Sequence, residues 1–415
     1  MTTPLRVLFV AFSRSSLGHV TRMRTAAQRF RLAGHEVAVA AHEEVRPIVE
    51  RAGLPWIGID EIGPAPAWRG MDDVAELRAF ARTRLASPAY VETCLADELR
   101  AIDGFGPDLV VSDMRNTASV AAAMRGLPSV TCHNLRLFRH PMHAVLPEVL
   151  ITLDQLGIAD VHAGKVLGDA MLVPDLALLD PLSDVPAETM GLVTSLVSEI
   201  RHIGALIPAE LCAVPAVAAG ASGTAPEHGE RAPLLNITLG GSGAGDKDLL
   251  RVVAAARGLG VPMAVTLGVE GPGSEALAAQ VRAAAGDAEV DVVGFRHDAV
   301  DLMARATAAV VHGGHSSMIE GLLCATPLVF VPHSAEQRGN AGRITDLGLG
   351  TTVAPDDPVE AVTEKIRSIL APPDRAAHTA FAATLRAADG AQAMIDHVER
   401  AVALHRITRS VHAAQ

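Results

Sequence analysis

Short apolar runs and longer amphipathic stretches alternate from the start of the chain: the run Val7–Ala11, a helical pattern over Thr21–Ala33, then the run Glu36–Ala41. This order is what parallel strands joined by crossover helices produce. Further strands are predicted at Trp56–Ile59, Asp108–Ser112, Ser129–Cys132 and Asp175–Leu179, each bounded by Gly, Pro or Asp. A second series begins near Pro233, with strands predicted at Leu234–Leu239, Met263–Leu267, Val290–Val293, Ala308–Val311, Leu328–Val331 and Gly350–Val353. Between the two series, from Pro208 to Pro233, the chain is rich in Ala, Gly, Pro and Ser and loses its periodicity, as a linker does. The tail Arg375–Val411 is Ala-rich and helical, and no strand follows it.

The expected organisation is therefore an α/β fold of two Rossmann-like domains, 1–207 and 233–374, joined by a linker at 208–232 and facing each other across a cleft. The segment 375–415 is expected to return as helix to the first domain. In open α/β sheets ligands sit beyond the carboxyl ends of the strands, so chemistry is sought in the loops that follow them.

Composition narrows the field. The 415 residues, 49% of them hydrophobic, suffice for two cores. A formal charge of −12 with no block of Lys or Arg argues against nucleic acid as a partner. Only 3% of residues are aromatic, so few platforms exist for stacking, and a polar or aliphatic ligand is favoured over a large flat one. Cys94, Cys132, Cys212 and Cys324 are scattered, without the spacing of a disulfide framework or a thiolate metal site, which fits a reducing cytoplasm. No apolar run has the length of a bilayer crossing, so no integral membrane segment is expected.

Four loops carry candidate chemistry. The first, Ser13 to Arg22, holds one glycine where a dinucleotide fingerprint needs three, but it sets His19 beside Gly18 at a strand-to-helix turn. His19 there either takes a proton from a bound hydroxyl or caps the helix. Asp113, at the end of a neighbouring strand, is the carboxylate that would orient such a base, or a turn residue. The second-domain loop Gly240-Gly241-Ser242-Gly243-Ala244-Gly245 lets backbone N–H groups approach phosphate oxygens, and lacks the lysine of a P-loop. The richest segment is His312-Gly313-Gly314-His315-Ser316-Ser317-Met318-Ile319-Glu320, where a strand ends and a helix begins, an arrangement suited to a diphosphate. It is followed by Glu336-Gln337-Arg338-Gly339-Asn340-Ala341.

Those residues resemble the nucleotide-sugar glycosyltransferases of the GT-B fold, in particular the macrolide and natural-product group. Its His-Gly-Gly-x-Gly-Thr-x-x-Glu motif is matched by His312–Glu320 with Ser316 for Gly and Ser317 for Thr, and its Asp-Gln-x-x-Asn-Ala motif by Glu336–Ala341. The resemblance implies that His19 is the general base and Asp113 its partner. It implies that Gly241, Ser242, His312, Gly314, Ser316 and Ser317 hold the diphosphate, Glu320 the ribose, Glu336 and Gln337 the transferred sugar, and Phe295 and Arg296 the base of the nucleotide. The reaction so implied is inverting transfer of a sugar from a UDP- or TDP-sugar to a hydroxyl or amine of a small natural-product acceptor, with the nucleotide sugar as co-substrate, no cofactor and no metal.

Three positions depart from the family pattern: Arg22 stands where proline is usual, Glu336 replaces Asp, and His315 fills a variable position. Arg22 is expected to be a solvated helix residue, with an acidic group on the acceptor as the other explanation. The histidines His133, His140 and His143 lack metal-ligand spacing and, with Arg136, read as a polar acceptor pocket. Trp68 and the helical stretch Met71–Leu85 read either as an acceptor wall or as an ordinary core-facing helix. Two competing functions keep the fold: a sugar-nucleotide epimerase or hydrolase needing no acceptor, and a non-catalytic transferase-like partner protein. A homodimer is the oligomer entertained.

Overall fold

A computed structural model describes the chain except for residues 1–2, 14–16, 62–72, 140–141, 209–210, 212–232, 240–245, 269–271, 297, 371–374 and 414–415. Two compact units divide it, one comprising Met1–Ile207 with Ala388–Gln415 and the other Pro208–Ala387.

The first unit is built on a parallel sheet of seven strands, β1 (Arg6–Ala11), β2 (Glu36–Ala41), β3 (Trp56–Gly58), β4 (Leu109–Asp113), β5 (Ser129–Cys132), β6 (Ala170–Val173) and β7 (Ile200–His202), in the order β3-β2-β1-β4-β5-β6-β7. Both faces are covered by helices, which is why β1 reads as a continuous apolar run rather than an alternating one. Leu8 and Val10 join the core beneath helices Pro88–Phe105, Asn116–Met124 and Met142–Gln155, while Val7, Phe9 and Ala11 join the core beneath Leu17–Leu32 and Gly390–Ala413. The strand order reverses direction between β1 and β4, where Ala11 pairs with Asp113. That register sets the loop after β1 beside the end of β4, at the switch point where doubly wound sheets bind ligands.

The second unit repeats the design with a parallel six-stranded sheet: β8 (Leu235–Thr238), β9 (Met263–Thr266), β10 (Val290–Val293), β11 (Ala308–Val311), β12 (Leu328–Phe330) and β13 (Gly350–Thr352), in the order β10-β9-β8-β11-β12-β13. Its own switch point lies between β8 and β11, where Thr238 pairs with Val311, so the segment beginning at His312 leaves the sheet there.

One predicted strand is corrected. Asp175–Leu179 is a loop; the sixth strand is Ala170–Val173, and a further edge strand follows at Ile200–His202. Pro174 has no N–H to continue the ladder, and the buried carboxylates of Asp175 and Asp180 turn away to bind Arg136 and the backbone of Leu135 and Arg136. The helical tail is shared. Ala376–Ala387 packs in the second unit, where Arg386 donates to the carbonyl of Leu323, whereas Gly390–Ala413 lies on helix Leu17–Leu32 in the first. Among the described residues no helix is long and apolar enough to cross a membrane.

Candidate active site

The helix Leu17–Leu32 leaves the first strand with His19 and Arg22 three residues apart, so both side chains fall on one face. That face meets the end of β4. His19 Nδ1 lies 2.9 Å from Oδ1 of Asp113, and Arg22 donates from Nε to Oδ2 at 2.7 Å and from Nη2 to Oδ1 at 2.6 Å. Arg22 also donates from Nη1 to Oδ1 of Asn134, in the loop after β5, at 2.5 Å. Arg22 is buried, 7% exposed, which corrects the expectation of a solvated helix residue.

Asp113 is wholly buried. Burial alone would raise its carboxyl, but the charge of Arg22, the neighbouring His19 and the hydrogen bonds from both outweigh it and hold the group well below the usual carboxylate range. An ionised Asp113 only accepts, so the short contact requires the proton of His19 on Nδ1 and leaves Nε2 as the acceptor for a substrate proton. The His19 side chain is partly exposed, at 16%, and its ring meets Phe12 edge-on.

His133 follows β5 in the same neighbourhood. It is fully buried beside the ring of Phe138, and among the described residues neither ring nitrogen has a hydrogen-bond partner. Burial pushes its imidazole down to about 4. The other expected acceptor residues divide. Arg136 is buried and committed to Asp175, at 2.6 Å, and Asp180, at 3.3 Å, so it braces the loops after β5 and β6 and is withdrawn from the acceptor-facing role expected of it. His143 Nδ1 lies 2.5 Å from Oγ1 of Thr189. Trp68 and His140 lie outside the described residues. The helix expected over Met71–Leu85 is described as Val74–Thr83, with Leu77 and Ala81 buried and Arg82 paired to Glu148 on helix Met142–Gln155, as a core-facing helix behaves.

A second buried polar network along this sheet edge was not anticipated. Ser13 donates to Glu61 through both N and Oγ, at 2.8 and 2.9 Å, and Arg115 reaches Glu61 at 3.4 Å and Glu98 at 2.9 Å. Met114, between Asp113 and Arg115, has φ 58°, and this left-handed step separates a carboxylate serving one network from a guanidinium serving the other. The only sequence signal for it is a charge two residues past the strand-end Asp.

In the second unit the strand β11 ends and Gly313 takes φ 87°, its carbonyl receiving Nδ2 of Asn340 at 2.7 Å. Gly314 then caps helix His315–Leu323 without any side-chain hydrogen bond at the cap. A helix that starts in this way presents backbone N–H groups and a positive dipole end to an anion. Ser316, Ser317 and Glu320 sit in the first two turns, all partly exposed. Helix Ala335–Asp346 begins nearby with Ser334 accepting from the N–H of Gln337, while Oε1 of Gln337 accepts from the N–H of His333 at 2.7 Å. Glu336 is partly exposed in that first turn. After β10, Phe295 is 41% exposed and Arg296 pairs with Asp291 and Asp298. Gly241 and Ser242 lie outside the described residues. Among those described, no three His, Cys, Asp or Glu side chains gather as a metal-ligand set.

Residues 264–394 match the glycosyltransferase family 28 C-terminal domain. The L-demethylnoviosyl transferase of Streptomyces niveus is 27% identical over 367 residues, covering 85% of this chain and 86% of that protein. Among solved structures, the glycotransferase of kitacinnamycin superposes with a TM-score of 0.68 at 18% identity, covering 97% of this chain and all of that one. The spinosyn rhamnosyltransferase SpnG in complex with thymidine diphosphate gives 0.64 at 20% identity, covering 95% of this chain and all of that one. Two parallel doubly wound sheets with a match of this kind define the GT-B fold. The chain is a glycosyltransferase: residues 264–394 carry the family 28 C-terminal domain, and over most of its length it is similar to a transferase of the natural-product type.

Proposed function

We propose that the protein is an inverting, metal-independent glycosyltransferase that moves a sugar from a UDP- or TDP-sugar to a hydroxyl or amine of a small natural-product acceptor. The observation that carries this reading is the 2.9 Å contact of His19 Nδ1 with buried, ionised Asp113, which leaves Nε2 of a partly exposed imidazole to receive the proton of the attacking group. As the acceptor oxygen forms its bond to the anomeric carbon, the bond to the diphosphate breaks and the proton passes to His19. The imidazolium so formed is stabilised by Asp113.

The departing diphosphate needs compensation for its developing charge. The N-terminus of helix His315–Leu323, with Ser316 and Ser317, and His312 beside it, supplies donors and a dipole for that purpose without a metal ion. Glu320 suits the ribose hydroxyls and Glu336 the transferred sugar, with the amide of Gln337 partly engaged in holding its own helix start. Thymidine diphosphate, bound in the SpnG structure, makes a TDP-sugar the first donor to try.

A melting-temperature screen of UDP, TDP, GDP and their sugars tests the donor. Saturation at a hundred times the dissociation constant adds about 2.7 kcal/mol to stability. His19→Ala is expected to abolish transfer and keep nucleotide affinity; turnover equal to that of the unsubstituted enzyme removes His19 from the mechanism.

A further inference from the structure

We propose that Arg22 is a positioning residue of the active site, a clamp that fixes the Asp113 carboxylate and through it the tautomer and orientation of His19. The inference rests on His19 being the base. Arg22 contacts both Asp113 oxygens from one guanidinium, at 2.7 and 2.6 Å, while its remaining terminal nitrogen donates to Asn134 at 2.5 Å. A planar fork held at three points has a single orientation, so the carboxylate plane it grips is fixed as well.

The clamp shapes the base in two ways. Arg22 Nη2 lies 3.3 Å from His19 Nδ1 but donates to Asp113 Oδ1 at 2.6 Å, and that oxygen is the nearer neighbour of Nδ1 at 2.9 Å, so a His19 tautomer without hydrogen on Nδ1 would set a lone pair against a carboxylate oxygen. The carboxylate also stays charged: burial disfavours the anion, and the guanidinium supplies the compensating charge. The charged or titratable side chains that face Asp113 from the surrounding elements are Arg22 and His19 on the first helix and Cys132 and His133 at the end of β5, and Arg22 is the permanent cation among them. Arg22 therefore does not require an anionic acceptor to account for it. Its partners are internal.

The test combines turnover with a tautomer measurement that needs no turnover. Arg22→Met is expected to lower kcat about a hundredfold, the scale of a misplaced catalytic group, with the affinity for TDP unchanged. Nitrogen NMR of histidine-labelled protein, with the His19 signal assigned by its loss in His19→Gln, is expected to show one Nδ1–H tautomer in the unsubstituted protein and a mixture in Arg22→Met. Arg22→Lys keeps the charge without the fork and is expected to be intermediate in both readouts; it decides the matter if Arg22→Met does not fold. Wild-type kcat and an unmixed tautomer in the methionine variant, or in the lysine variant where only that one folds, overturn the proposal. An unsubstituted protein with no transferase activity but the expected tautomer pattern would count against the proposed reaction and leave the clamp standing.

Discussion

A Cβ placed on Gly314 would fall on Nε2 of His312 and lie 3.1 Å from its Cε1, so a side chain at 314 and the present orientation of His312 exclude each other. The backbone of Gly314, φ −62° and ψ 147°, is open to any residue, so its glycine is explained by this approach and not by backbone conformation. Gly314→Ala is expected to fold normally, swing His312 aside and weaken TDP binding about tenfold, or about 1.4 kcal/mol. Calorimetric titration with TDP measures this, alongside the melting temperature without ligand. Unaltered affinity would separate His312 from the donor.

Asp113→Asn tests the other half of the site. A carboxamide offers one acceptor oxygen where Arg22 and His19 now use two, and it leaves a buried guanidinium without its counter-charge. Turnover is expected to fall by roughly 10²–10⁴. Breaking a buried ion pair from one side also costs about 3–5 kcal/mol of stability. Urea unfolding and initial rates, taken on the same preparation, read both; a variant with full stability would mean that Arg22 finds a substitute partner.

Most of the sheet order was legible because strands covered on both faces announce themselves as unbroken apolar runs, as Val7–Ala11 and Ala308–Val311 do. Ala170–Val173 escaped because it is only four residues long, with Val173 its one β-branched residue, although Gly168, Asp169 and Pro174 bound it, while Asp175–Leu179 imitates a strand in composition but serves as a loop gripping Arg136. The meeting of His19 with Asp113 was foreseeable from topology, since any loop after β1 opens beside the end of β4. Arg22 was not. Its partners lie 91 and 112 positions away, and no local pattern separates a helix arginine that reaches a buried carboxylate from one that reaches water. The buried pair of Arg115 with Glu98 was hidden for the same reason.

The terminal helix docks through glycines. A Cβ on Gly390 would stand 2.6 Å from the carbonyl oxygen of Ala205 and closer still to that of Gly204, and behind this junction Met394, Ile395, Val398 and Val402 are buried. Gly390→Ala is expected to cost about 1–3 kcal/mol by overpacking and to speed proteolysis between the two helices of the tail. Nucleotide affinity, assigned to the other unit, is expected to stay. A cleavage rate equal to that of the unsubstituted protein would show that the junction yields without undocking the helix.

His133 makes acid sensitivity measurable. In the folded chain burial holds its imidazole neutral down to about 4, whereas in the unfolded chain it takes up a proton near 6.5. A folded value below the unfolded one means that the full stability is present above about 6.5 and is lost as the pH falls towards about 4, because the unfolded state alone gains the proton over that window. With each unit of separation worth 1.36 kcal/mol, the loss from this one residue is on the order of 3 kcal/mol. His133→Leu, close in volume and without a titrating group, is expected to flatten the stability profile between pH 6.5 and 4. The lower limb belongs to other groups: Asp113, held charged by Arg22, yields its contribution only under stronger acid. Urea midpoints at half-unit steps of pH give the comparison, and identical slopes for the variant and the unsubstituted protein in that window would place the acid sensitivity elsewhere.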